Sequence, residues 1–185
     1  MTKVEIANMA LGEIGSNTIS SLEEPTPESK WANVYIQPTI DYVLQMFEWP
    51  FAIERQKMSQ LSESEHPDYQ YAYTLPKSPP CLRFIRFAEG EYEFVLEGET
   101  VFTDISPATA VYIKKITDVS KFDSLIASTV SIFLASRLAA SLKKDGNLAN
   151  ALFQKAGGWL TLAKSRHATE AYGQQPDLGG WVDEV

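Results

Sequence analysis

Trp49-Pro50-Phe51-Ala52 and, further on, Tyr71-Ala72-Tyr73-Thr74-Leu75-Pro76 decide how this chain is read. The first block closes a helical pattern and the second opens a β pattern, and each sets large aromatics beside a proline. Aromatic side chains supply much buried area, and proline fixes the direction in which a chain leaves an element. Trp49, Phe51, Tyr71 and Tyr73 are therefore read as packing residues at a junction between a helical part and a β part. Neither block contains a nucleophile–base pair or a metal-ligand cluster. The reading is architectural, and it points to assembly before catalysis.

Upstream, Thr2 with Glu5 three residues on forms a capping-box pattern, and Val4, Ala7, Leu11 and Ile14 make an apolar stripe ended by Gly15. A second helix is expected from Thr26, with Pro27 in its first turn and Trp31, Tyr35, Val43, Leu44 and Phe47 on its apolar side. Pro38 falls inside it and predicts a kink. Glu54 to Asp68 reads as a polar loop.

From Tyr69 to Ile116 the pattern predicts strands at 71–74, 82–87, 92–96, 101–104 and 110–116, punctuated by Glu89-Gly90-Glu91 and Glu97-Gly98-Glu99. Alternation fails in Arg83-Phe84-Ile85-Arg86-Phe87, as in a strand covered on both faces. Helical periodicity returns at Ser120. The stretch to Leu142 is apolar on several sides with small residues between, which suits a helix touched by more than one neighbour. Lys143-Lys144-Asp145-Gly146-Asn147 breaks it, and a last helix follows toward Tyr172. Gly157-Gly158 inside that helix predicts a bend or a close helix approach.

Net charge is −8 and the pI is near 4.8, which disfavours tight nucleic-acid binding, since such affinity rests on neutralising phosphates. Charge is uneven. Arg137, Lys143, Lys144, Lys155, Lys164 and Arg166 face only Asp145 between Arg137 and His167, about +5, so the remainder carries about −13. The patch reads as a solvated helix face or as an intersubunit contact meeting an acidic neighbour. Cys81 is the only cysteine, which fits a reducing, cytosolic origin. No uninterrupted apolar run approaches the ~18 residues of a membrane span, and no signal-peptide core opens the chain.

Candidate chemistry is thin. Cys81 after Pro79-Pro80 has no local base signature, and His66 and His167 with a single cysteine fall short of a zinc site, so all three read as structural or incidental. Glu23/Glu24, Glu63/Glu65 and Glu97/Glu99 resemble glycosidase carboxylates only in type. No glycine pattern matches a phosphate or dinucleotide loop, and no cofactor or metal is expected.

Ala7-Asn8-Met9-Ala10-Leu11-Gly12-Glu13-Ile14-Gly15 and Ile19-Ser20-Ser21-Leu22-Glu23-Glu24, with Trp49-Pro50-Phe51-Ala52 and the Tyr71–Pro76 block leading into Cys81-Leu82-Arg83, resemble head-to-tail adaptor proteins of short-tailed bacteriophages, the tail tubular protein A family. The resemblance implies an α+β fold: a four-helix bundle with a small antiparallel β subdomain inserted between helices 2 and 3. Residues 1–53 plus 118–172 would form the bundle, 54–117 the β subdomain, and 173–185 an extended C-terminal docking tail. It further implies a dodecameric ring at the head–tail junction of the virion, made in the bacterial host cytoplasm. The partners would be the portal, neighbouring copies and the tail nozzle or next tail protein. DNA would pass through without sequence-specific binding, and no membrane is involved. Portal docking would fall on Leu178, Trp181, Val182 and Val185. Two other readings are carried: a different neck or connector scaffold, and a small carboxylate-dependent cell-wall hydrolase using residues such as Glu24 and Glu63.

Overall fold

The computed structural model of the chain describes residues 1–171. Helix α1 (Lys3–Glu13) begins at the expected capping box: Glu5 N–H donates to Thr2 Oγ1 at 3.2 Å, and Thr2 N–H donates to Glu5 Oε2 at 2.7 Å. Both donors would otherwise lack a partner within the helix. Asn8 then pins the following loop with both ends of its amide, Nδ2 donating to Ile19 O and Oδ1 accepting from Ile19 N–H, each at 2.8 Å. Helix α2 (Pro27–Gln45) is capped by Thr26 and continues through Pro38 as one helix.

Helix α3 (Ser124–Leu138) starts later than the periodicity suggested, because Asp123 is itself the cap. Its Oδ1 accepts from Leu125 N–H and Ile126 N–H, both at 2.8 Å. Twelve of its fifteen residues are buried. The hydroxyls of Thr129, Ser131 and Ser136 survive there because each donates to a carbonyl one turn back, at 2.7–2.8 Å. By length and composition Ser124–Lys143 is apolar enough to cross a membrane, but two-thirds of it is buried inside this protein. A π-helical turn (Ala139–Lys143) ends at Lys144, in the left-handed region at φ 53°. Asp145 then caps α4 (Gly146–Ala171) through Asn147 N–H and Leu148 N–H.

Seven strands follow α2 and precede α3: β1 (Ile53–Lys57), β2 (Ser59–Gln60), β3 (Tyr71–Thr74), β4 (Cys81–Phe87), β5 (Phe94–Glu97), β6 (Thr100–Thr103) and β7 (Thr109–Lys114). They form two antiparallel sheets, ordered β1-β7-β4 and β2-β3-β6-β5. The segment read as a polar loop from Glu54 thus supplies two strands. Its polar residues sit on an edge, where one side of the ladder and one face meet water. Only Met58 separates β1 from β2. Its N–H donates to Ala108 O and its side chain turns inward, so one nearly continuous strand joins the two sheets along one side.

A four-helix bundle carrying a small inserted β subdomain is not the observed fold. Among the described residues there are four helices and seven strands in two antiparallel sheets. Instead of four equivalent helices around a shared axis, α3 is the centre, and α1, α2 and α4 pack on it from different sides. A helix apolar all round satisfies its surface only when covered all round. Nor is the first sheet an appendage. Ile113 lies inside the helical core, with Ile53, Leu82 and Ile85 packed against it. A second core of Met58, Tyr73, Phe84, Phe87, Val101 and Tyr112 fills the space between the sheets.

Strand β4 shows why simple alternation failed. Register shifts between Cys81 and Arg83 and between Phe84 and Arg86 insert bulges. They place Phe84 and Phe87 in the second core, and Leu82 and Ile85 on the first, at a spacing of three where a regular strand would use two. The strand is covered on both faces, as its composition indicated.

Gly157 and Gly158 do not mark a close approach. Helix α4 runs through them, and a Cβ added at either would meet nothing within 4 Å. Gly157→Ala with Gly158→Ala is therefore expected to stabilise the chain by about 1–2 kcal/mol in urea unfolding, since alanine costs less entropy in a helix. No gain would mean that these positions are constrained by something beyond the isolated chain.

Candidate functional site

The aromatic elbow does not gather its four residues in one place. Trp49 is fully buried in the helical core, donating Nε1–H to Val43 O at 2.9 Å, with Phe47 and Phe51 against its ring. Tyr73 belongs to the second core, its hydroxyl donating to Ile105 O at 3.0 Å, and Tyr71 packs on the same core. The two blocks anchor two separate cores.

His167 is the residue that the sequence reading set aside and the structure brings in. It is 6% exposed, with Nε2 3.0 Å from Asp123 Oδ2 and its ring 5.3 Å from Trp49 and 5.7 Å from Phe51. One Asp123 oxygen thus caps α3 while the other meets the far end of α4. The signal was present: Leu152, Ala156, Ala163 and His167 are buried on one stripe of α4 at spacings of four, seven and four.

The basic residues lie on α3, the π turn and α4, mostly solvent-facing and partly used within the chain. Lys155 pairs with Glu13 at 2.7 Å, and Lys143 donates to Gly15 O at 3.0 Å. Arg137 and Lys164 are half-buried, while Lys144 and Arg166 are exposed. Among these cations α4 exposes Phe153 and Leu162. Another exposed apolar group lies on edge strand β5 and the residues just before it, where Tyr92, Phe94 and Leu96 are interspersed with Glu91, Glu93 and Glu97. The exposed apolar residues of α4 and those at β5 therefore sit in surroundings of opposite charge.

Candidate reactive groups do not converge. Glu24 Oε1 accepts from the Ser20 hydroxyl, Ser20 N–H at 2.6 Å and Ser21 N–H at 2.9 Å, and chiefly the Ser20 contacts hold its carboxyl below the usual range. Such a carboxylate is a loop cap and a poor proton donor. Glu63 and Glu65 line a different depression beside Leu61 and Phe102. Burial pushes the Cys81 thiol up to about 11, away from thiolate reactivity. Among the described residues no three His, Cys, Asp or Glu side chains group as metal ligands. Leu178, Trp181, Val182 and Val185 lie outside the described residues. No protein-family model matches this chain, and no curated protein is significantly similar to it.

Proposed function

We propose that the chain is a structural ring subunit: a head-to-tail adaptor that joins a portal to a tail, closes the packaged head and lets DNA pass on ejection, without catalytic turnover. One observation carries this reading: the exposed apolar residues at β5 sit among glutamates, whereas those on the two flanks of α4, Phe153 and Leu162, sit on a helix whose exposed charges are cations. Surfaces that match a different surface on an identical copy associate head to tail and close into rings when the rotation permits. Exposed apolar groups set among charges of one sign are a usual mark of an interaction site. The net charge of −8 suits a wall past which DNA slides, since phosphates are repelled by it. The resemblance of the N-terminal and elbow blocks to the adaptor family supports the same reading and supplies the portal as partner, with the dodecameric ring as the assembly.

Native mass measurement of the full chain, alone and mixed with its portal, tests it. A complex of several copies per portal ring is expected. Glu93→Lys with Glu97→Lys should weaken that assembly by about tenfold or more, and adding Lys164→Glu, on the Phe153 flank of α4, should recover part of it. Trp181→Ala should weaken portal binding while leaving the fold intact. A chain that stays monomeric beside its portal at micromolar concentration would refute the adaptor role.

A further inference from the structure

Carboxylates and cations fall on different parts of this chain. From Phe87 to Ile113 there are six carboxylates and no lysine or arginine. From Asn147 to Thr169, helix α4 carries Lys155, Lys164 and Arg166 and no carboxylate, and the single charged residue of α3 is Arg137. Each part also exposes large apolar side chains: Tyr92, Phe94 and Leu96 at β5, and Phe153 and Leu162 on α4. Strand β5 is an edge, bonded only to β6.

The two flanks of α4 are not equivalent. Phe153 and Lys164 share one stripe of the helix, whereas Leu162 shares the other with Lys155. On the Leu162 side, Lys155 is already held by Glu13 at 2.7 Å. On the Phe153 side an aromatic floor crosses three helices. Tyr42 of α2 meets Phe133 of α3 at 5.3 Å, and Phe133 meets Phe153 at 5.5 Å, both edge to face. Phe133 is buried but Phe153 is 48% exposed, so the floor ends in water. Arg137, one turn from Phe133, and Lys164 have no ion pair among the described residues.

The spacing of these cations suits β5. His167 meets Asp123 while Phe153 meets Phe133, so α3 and α4 run antiparallel. Arg137 and Lys164 therefore lie on opposite sides of Phe153, roughly 20 Å apart along the helices at the usual rise per residue. In extended chain Glu91 to Glu97 also cover roughly 20 Å. Contact of β5 with β5, or of α4 with α4, would set like charges face to face, so unlike surfaces of two copies are the pair that charge permits. Three apolar residues bury less than a standard interface of about 800 Å² per partner. One such contact is weak, and its repetition around a closed ring is strong.

We infer that β5 of one copy seats on the Phe153 flank of the next, its apolar residues covering Phe153 and its glutamates pairing with Arg137 and Lys164. This rests on the ring-subunit reading and names the surface that receives β5. The Leu162 flank stays outside the contact.

Mixing two full-length variants tests it. Glu93→Lys with Glu97→Lys reverses β5, and Arg137→Glu with Lys164→Glu reverses its receiver. Each variant alone should associate about tenfold more weakly than wild type in sedimentation, and an equimolar mixture should recover most of the loss. Unchanged association in either variant, or a mixture no stronger than its parts, would overturn the inference. So would a wild-type chain still monomeric at about 0.5 mM, where a contact of even millimolar Kd is partly formed. Lys164→Glu alone serves, with a smaller loss, if Arg137→Glu fails to fold.

Disulfide trapping then reads the flank. With Cys81→Ser as background, Leu96→Cys mixed with Phe153→Cys should cross-link about tenfold faster than Leu96→Cys mixed with Leu162→Cys, because docking raises the local concentration of one pair only. Equal rates, or the reverse order, would overturn the choice of flank. The mixing test keeps Cys81, so it stands if that background fails to fold. Portal binding reports the adaptor role separately. A chain that binds its portal yet fails the mixing test loses only this interface, and one that passes but ignores the portal loses only the adaptor role.

Discussion

Trp49→Ala is expected to cost about 3–5 kcal/mol, a large fraction of the margin by which a domain is stable. The indole is fully buried, it touches Phe47, Phe51 and His167, and its N–H holds the carbonyl of Val43 near the end of α2. Removing it opens a cavity where three segments meet: the end of α2, the turn at 50–52 and the last turns of α4. Trp49→Phe separates the contributions. It keeps most of the apolar area, lacks the hydrogen bond, and should cost roughly 1–2 kcal/mol. Urea unfolding measures both. Hydrogen exchange over residues 163–169 should also quicken in Trp49→Ala beyond the global loss, because His167 loses one wall of its site. A cost below about 1 kcal/mol for Trp49→Ala would mean that this junction does not hold the fold.

The second large effect depends on pH. Tyr112 is fully buried on β7, its hydroxyl donating toward Gln56 Oε1 and Pro79 O at 3.1 Å. Burial, and then the negative charges of Glu54 and Cys81, push its phenol up from 10 to about 12. The folded chain therefore keeps a proton that the unfolded chain releases between these values. The resulting stabilisation is complete below pH 10 and is lost as pH rises through 12, an amount of about 3 kcal/mol. Tyr112→Phe cannot ionise. At pH 7 it should be less stable than wild type by roughly 1–2 kcal/mol, for the lost hydrogen bonds. As pH climbs from 9 to 12 the gap should close and then reverse. Parallel stability curves for the two proteins across that range would show that Tyr112 does not titrate from a buried state.

Local signals were legible in the sequence wherever one segment satisfies itself. The capping box at Thr2 and Glu5, the Thr26-Pro27 start, the strands near 71–74, 82–87 and 101–104, and the all-round apolar character of α3 need only neighbours along the chain. Glu54–Gln60 was misread because an edge strand keeps one row of polar groups in water, so its composition matches a loop. The bulges in β4 were hidden because a shift in pairing belongs to two strands at once. His167 was passed over because a histidine becomes a core residue only when a distant carboxylate, here Asp123, arrives beside it.

Taken alone, the amino-acid order determined which segments coil and which extend, through capping, periodicity and proline placement, all of which act over a few residues. It also determined the acidic balance and the opposite charge of α4 and β5. Only the tertiary structure decided that α3 stands at the centre, that one sheet shares the helical core, and that two aromatic blocks serve two cores. Those outcomes depend on apolar surfaces far apart in the chain excluding water together, and that burial is non-directional. Many pairings satisfy it equally until the whole molecule closes.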